Sequence, residues 1–318
     1  MSSAANPRAV AVSVHALTKR FGSFAAVDSV SFEVPAGSIF GLLGANGAGK
    51  STTIRMLCGL LAVTSGTAEV AGIDVGRNPE GVKRRIGYMS QRFSLYDDLT
   101  VEENITFFGG VYGLSDRELA ERREETVRLA GLQGRERALT RELSGGWKQR
   151  LALGCAMLHR PGIVFLDEPT GGTDPISRRE FWDIINDLAG AGTTVLVTTH
   201  YLDEAEYCNE LVLMHAGRIV AQGTPGELKA QVITGPVFEV ECPDPVAAME
   251  TLKVVPSVRE TAIFGTRLHV SVDREDDIGP ALDALAAGGL PPAGHRKVMP
   301  SLEDVFIRLI DRSVEAGN

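Results

Sequence analysis

The sequence predicts an α/β protein with a mixed, largely parallel sheet, followed by a small α+β domain. Three observations carry that expectation. Gly44-x-x-x-x-Gly49-Lys50-Ser51 lies between a short apolar run, Ser38 to Leu43, and a segment with helix-spaced Ile54, Leu57 and Leu61. Ile163-Val164-Phe165-Leu166 runs into two acids, Asp167 and Glu168; this is how a strand buried on both faces reads when its C-terminal end meets a ligand. Thr194 to Thr199 is another buried-strand run and ends at His200.

Composition bounds the rest. At 318 residues, 44% hydrophobic and 23% charged, the chain suits about two globular domains. No apolar run approaches the ~20 residues of a membrane helix. The apolar stretch after Arg8 is interrupted by Ser13 and His15 and lacks a cleavage site, so no signal peptide is expected and the chain should stay in the cytoplasm. A net charge of −9, with no basic run longer than Lys83-Arg84-Arg85, gives no expectation of a nucleic-acid partner. Cys58, Cys155, Cys208 and Cys242 are widely spaced with no Cys-x-x-Cys pair, which points to reduced core residues.

In chain order, Val10, Val12 and Val14 alternate, as do Val30, Phe32 and Val34 before Pro35-Ala36-Gly37, so residues 8 to 37 form a β-rich lead-in. Phe21, beside Lys19 and Arg20, is either an exposed stacking platform or a strand-end core residue. The glycine loop follows. Its backbone N–H groups and the next helix's N-terminus form a phosphate cradle, where Lys50 neutralises β and γ phosphates and the Ser51 hydroxyl ligates Mg²⁺. Thr67 to Ala71 alternates, and Ile86 to Met89 is a strand candidate running to Gln91. Thr100-x-x-Glu103 and Ser115-x-x-Glu118 are capping boxes that start helices over Val101 to Val111 and Asp116 to Ala130, the core of an inserted helical lobe.

Leu143-Ser144-Gly145-Gly146 opens a further helix that ends before Pro161; the Ser-Gly-Gly start is an anion-binding nest or an ordinary cap. Asp167 suits a Mg²⁺ shell and Glu168 a base that polarises an attacking water; the bland alternative is a solvated strand end. Asp174-Pro175 caps the next helix. His200 stands at the same sheet edge as the two acids if the strands are parallel, as a phosphate contact or a structural hydrogen-bonder. Leu211 to His215 and Arg218 to Gln222 form a hairpin.

Gly223 to Pro236, rich in Gly and Pro, reads as a linker. Beyond it a β-α-β-β-α-β series, ferredoxin-like in order, and a helix capped by Ser301 are expected. Acids outnumber bases there, and no catalytic constellation is visible; a dimer-supporting or regulatory module is the simpler reading, a ligand sensor the other.

The ordered set of motifs resembles the ATP-binding cassette (ABC) transporter ATPases over roughly residues 10 to 230. It comprises the Gly44–Ser51 cradle, Gln91, Leu143-Ser144-Gly145-Gly146 with Gln149-Arg150, Asp167-Glu168, Gly172-Thr173-Asp174 and His200. The resemblance implies a P-loop NTPase cassette at 8–230, with an N-terminal antiparallel β subdomain and a helical subdomain at about 92–160, and an accessory domain at 236–318. It implies that ATP and Mg²⁺ are bound. Phe21 would stack on adenine; Gly44, Asn46, Gly47, Ala48, Gly49, Lys50, Ser51 and Thr52 would hold the phosphates; Ser51, Gln91 and Asp167 would serve the metal. Glu168 would be the base, assisted by Lys50 and His200. Ser144, Gly145 and Gly146 would grip the γ-phosphate held by a second subunit in a head-to-tail homodimer.

Ala45, Phe21 and Thr173 depart from the commoner proline, tyrosine and leucine of the family. Trp147-Lys148, Phe165 to Thr170 and the Pro300 to Phe306 end look like the bacterial drug-export and antibiotic-resistance branch. The expected role is therefore the ATPase subunit of an exporter of drugs or other hydrophobic compounds, peripheral on the inner face of the membrane beside a separate integral permease. Phe93, Leu95, Tyr96 and Leu99 are the candidate docking residues. The alternative is a soluble ABC ATPase acting on ribosomes or nucleic acid.

Overall fold

Strands β1 (Val10–Phe21) and β2 (Phe24–Pro35) pair antiparallel with Val12 opposite Val34 and Val14 opposite Phe32. All four are buried, so the alternation read in the sequence is a cross-strand apolar row. The computed structural model describes residues 9–91, 94–233 and 235–315. It divides into two units between Gly223 and Thr224.

In the first unit, β3 (Ile39–Leu43) leads through the glycine loop into α1 (Lys50–Leu57). Strands β4 (Ser65–Val70) and β5 (Ile73–Asp74) complete a four-stranded sheet of order β2-β1-β4-β5. After the short α2 (Pro79–Lys83) and β6 (Ile86–Met89) come α3 (Val101–Val111), α4 (Asp116–Ala130) and α5 (Gly145–Met157). Both predicted capping boxes are formed, at Thr100/Glu103 and Ser115/Glu118. These helices enclose a core of their own that includes Ile105, Leu132 and Leu151.

β7 (Ile163–Asp167), α6 (Pro175–Gly190), β8 (Thr194–Thr199), β9 (Glu210–His215) and β10 (Arg218–Gly223) finish the unit. The second sheet runs β10-β9-β3-β8-β7-β6, parallel except for β10 against β9. β3, β7 and β8 are buried along their whole lengths, which is why their sequences are apolar runs without alternation. Register places Leu43 beside Thr199 and Asp167 beside Thr198. One sheet edge therefore carries the start of the glycine loop, the two acids and His200.

The second unit corrects the expected boundary. Residues 225–232 form helix α7 (Pro225–Val232), not a linker. Thr224 accepts from the Glu227 amide and the Glu227 side chain returns to the Thr224 N–H, with proline at the first turn; the Gly-Thr-Pro-Gly punctuation is thus a helix start. Residue 234 of the expected linker lies outside the described residues. Then follow β11 (Val237–Glu241), α8 (Pro245–Leu252), β12 (Val258–Phe264), β13 (Arg267–Val272), α9 (Ile278–Ala287), β14 (Gly294–Val298) and α10 (Leu302–Glu315). The antiparallel sheet has the order β12-β13-β11-β14. Phe238, Val240, Leu252, Leu268 and Leu285 share its core, and His269 Nδ1 sits 2.9 Å from Asp304 at the start of α10.

Cys58, Cys155 and Cys208 are buried, whereas Cys242 is only half-buried and departs from the expected core placement. Burial pushes the Cys58 thiol well up, with the Asp167 charge adding to it, and raises the Cys155 and Cys208 thiols. Since the thiolate is the reactive form, at most one thiol per native chain should react rapidly with a thiol reagent at about pH 8, against all four in denaturant. Two or more fast thiols in the folded protein would contradict this packing.

Candidate functional site

A cleft of about 450 Å³ gathers the loop Asn46 to Gly49, the first turn of α1 from Lys50 to Thr52, Phe21, Gln91 and Glu168. Helix α1 begins with Gly49 at φ 102° and no side-chain cap. Its first N–H groups are left without the intrahelical partners that later turns have, and no acid stands in that turn to offset the positive end. α3, α4, α6 and α7 all carry side-chain caps; α1, at the cleft, does not, and nor does α9 in the second unit. A Cβ on Gly49 would lie 2.6 Å from the Ala26 carbonyl oxygen, whereas one on Gly47 would meet no atom within 4 Å. The loop is packed on its protein side and open on the cleft side, as a polyphosphate requires.

Lys50 is 3% exposed. Its Nζ donates to the Gly44 carbonyl at 2.8 Å and the Ala45 carbonyl at 3.2 Å and lies 3.4 Å from Glu168 Oε1. Gln91 Nε2 donates to Glu168 Oε2 at 3.1 Å, and His200 Nδ1 lies 3.3 Å from the same oxygen. Residues separated in the chain by 77 positions (Gln91) and more (Lys50) thus converge on one carboxylate. Glu168 itself sits at φ 49°, a left-handed conformation uncommon outside glycine that persists only where neighbours hold it. Its amide donates to the Thr198 carbonyl at 3.2 Å and hydroxyl at 2.8 Å.

Asp167 is fully buried. Oδ1 accepts from the Ser51 hydroxyl at 2.7 Å and the Thr198 hydroxyl at 2.8 Å, while Oδ2 has no partner among the described residues. Its charge reaches Tyr88, whose hydroxyl is pushed up to about 12 first by burial and then by Asp167. A buried carboxylate oxygen without a donor is costly, and oxygen ligands from Ser51, Asp167 and Gln91 are the hard donors that Mg²⁺ takes alongside phosphate oxygens. The residues present therefore fit a Mg²⁺–nucleotide.

Phe21 is 50% exposed at the end of β1, so it is not a strand-end core residue. Phe24, 64% exposed across the same turn, lines the cleft as well. Sequence reasoning missed it; the signal was a second aromatic three residues on in a hairpin tip.

Ser144, Gly145 and Gly146 do not line this cleft. Ser144 caps α5 through the Trp147 amide, Ser144 and Gly145 are exposed, and a Cβ on Gly146 would meet the Ser177 hydroxyl at 2.8 Å. Of the docking candidates, Phe93 lies outside the described residues and Leu95 and Leu99 are half-buried. Tyr96 is exposed, its ring 4.7 Å from that of Phe107, another exposed aromatic not anticipated. No helix among the described residues is long and apolar enough to cross a membrane.

A sequence model of the family described as ABC transporter matches residues 27–171. Over 249 residues the chain is 49% identical to "Probable multidrug ABC transporter ATP-binding protein YbhF" of Escherichia coli K12; the match takes in 78% of this chain and 42% of that protein. The chain thus spans less than half of this relative's length. It is 39% identical over 297 residues to "Nod factor export ATP-binding protein I" of Cupriavidus metallidurans, covering 93% of this chain and 96% of the relative. A solved structure described as the ATP binding subunit of an ABC transporter superposes with a TM-score of 0.63 at 32% identity, over 69% of this chain and 92% of its own.

Proposed function

The chain belongs to the ATP-binding proteins of the ABC transporter family, and from that premise we propose that it is the ATP-hydrolysing subunit of a membrane exporter. The observation that carries the reading is the convergence of Lys50, Gln91 and His200 on the Glu168 carboxylate beside an uncapped helix N-terminus.

Phe21, with Phe24 beside it, stacks on the adenine. The loop amides, the α1 N-terminus and Lys50 hold the phosphates. Ser51, Asp167 and Gln91 hold Mg²⁺, which when bound supplies charge neutralisation across the β and γ phosphates. Glu168 accepts a proton from the attacking water as the bond from the γ-phosphorus to the ADP oxygen breaks, and His200 donates a hydrogen bond to the γ-phosphate.

One copy is half a site. The exposed Ser144 and Gly145 lie at the capped start of α5 and outside their own cleft, so a second copy, head to tail, supplies them to the γ-phosphate. Specific ATPase activity should accordingly rise with protein concentration until the dimer saturates. A constant specific activity from a protein shown to be monomeric would overturn the shared site.

The exposed Tyr96, a few residues beyond Gln91, and Phe107 against it form the docking patch for the cytoplasmic helices of a separate integral permease, and the subunit sits on the inner face of the membrane. Co-purification with that permease tests this, and its loss in a Tyr96→Ala, Phe107→Ala chain is the expected result. The cargo is a drug or other hydrophobic compound, by analogy with the multidrug relative. The unit from Thr224 onward is a dimer-supporting or regulatory module.

A further inference from the structure

Glu204 lies four residues beyond His200, is 1% exposed, and lines no part of the cleft. A carboxylate in such a place loses its hydration, so it is held in a core only by specific partners. Its Oε1 accepts from the Thr170 hydroxyl at 2.5 Å and lies 3.5 Å from Arg178 Nε, while Oε2 has no partner among the described residues. Two short chains of contact lead from these partners back to the cleft.

The first runs through Thr170, two residues after Glu168. The Gly171 amide donates to the Glu168 carbonyl at 3.2 Å and the Thr173 hydroxyl to the Thr170 carbonyl at 2.6 Å. The turn that carries Glu168 at its left-handed φ is thereby tied on its far side to Glu204. The second runs through Arg178, one turn into α6, whose guanidinium carbon lies 4.1 Å over the Tyr201 ring. The Tyr201 ring centroid is in turn 4.2 Å from that of His200. His200 Nδ1 makes no hydrogen bond of normal geometry, so its ring is oriented by packing on Tyr201, and Tyr201 by the cation above it.

We propose that Glu204 is a positioning residue that sets both Glu168, through Thr170, and His200, through Arg178 and Tyr201. The inference rests on the roles of Glu168 and His200 proposed above. Without the Glu204 charge, Asp203, at 3.7 Å on the exposed side, is the acid left to Arg178 among the described residues, and Arg178 is drawn off Tyr201, while the Glu168 turn loses its anchor on the far side. Ground-state binding of nucleotide, made by the loop and α1, is untouched.

The test uses the full chain and separates turnover from binding. Glu204→Ala should lower kcat about 10-fold or more, with KM and an independently measured nucleotide Kd within about twofold of wild type. Glu204→Gln, which keeps an acceptor for Thr170 but not the charge for Arg178, should fall between. Tyr201→Phe retains the stacked ring and should keep near-wild-type turnover, whereas Tyr201→Leu and Arg178→Gln should both lower kcat with nucleotide Kd within about twofold of wild type. A folded Glu204→Ala protein with unchanged kcat overturns the proposal, and so does a parallel loss of kcat, binding and melting temperature, which is the mark of a merely structural residue. Should Glu204→Ala fail to fold, equal turnover in Tyr201→Phe and Tyr201→Leu overturns it instead. Absence of hydrolysis by the wild-type dimer would be a different failure, that of the reading of Glu168 as base.

Discussion

Glu168→Gln should bind ATP about as well as wild type yet lose roughly 10²–10⁴ of its turnover, the usual worth of a positioned general base. The amide is nearly isosteric, so the phosphate cradle and the packing of Lys50 and His200 around position 168 are preserved. What is lost is the basic oxygen that accepts the water proton, along with the charge that Lys50 Nζ approaches to 3.4 Å and Gln91 bonds at 3.1 Å. With the chemical step blocked and binding intact, the nucleotide-bound dimer should accumulate, visible as a concentration- and ATP-dependent shift to twice the monomer mass. Turnover within a few-fold of wild type would remove Glu168 from the base role; a matching loss of ATP affinity would instead make it a binding residue.

Lys50→Ala should fail at the earlier step. A charge-assisted hydrogen bond from a buried ammonium to phosphate contributes about 1.5–3 kcal/mol, so the nucleotide Kd should rise about 10- to 100-fold. Lys50 also stands between the Gly44 and Ala45 carbonyls and Glu168, and its removal leaves that carboxylate Gln91 and His200 among the described residues. Equilibrium binding of a fluorescent ATP analogue reads the effect without turnover, and unchanged affinity would place the phosphates elsewhere than in the Gly44–Ser51 cradle. The contrast with Glu168→Gln is diagnostic: one variant binds and does not turn over, the other scarcely binds.

Much of the architecture was legible because the deciding interactions are local. The capping boxes at Thr100 and Ser115 involve residues three apart, so both helix starts could be read directly. β3, β7 and β8 were apolar runs of strand length bounded by turn residues, and their burial on both faces follows from that pattern. Locality also explains the error at α7. Thr224-Pro225-Gly226 satisfies the rule for a turn and the rule for a helix start equally well, and the Glu227 carboxylate that returns to the Thr224 amide tips the outcome.

The glycine loop, the strand-end acids and the motif order from which ATP hydrolysis is expected are all legible in the order of residues alone. It takes the folded chain to show that Gln91, Lys50 and His200 meet at Glu168, that Phe21 and Phe24 are both exposed at the cleft, and that Glu204 is a buried carboxylate beside Thr170 and Arg178. The reason is the range of the forces. Propensity, capping and apolar periodicity act over a few residues, whereas these meetings depend on the β3-β8-β7-β6 order and its register, which no single segment encodes.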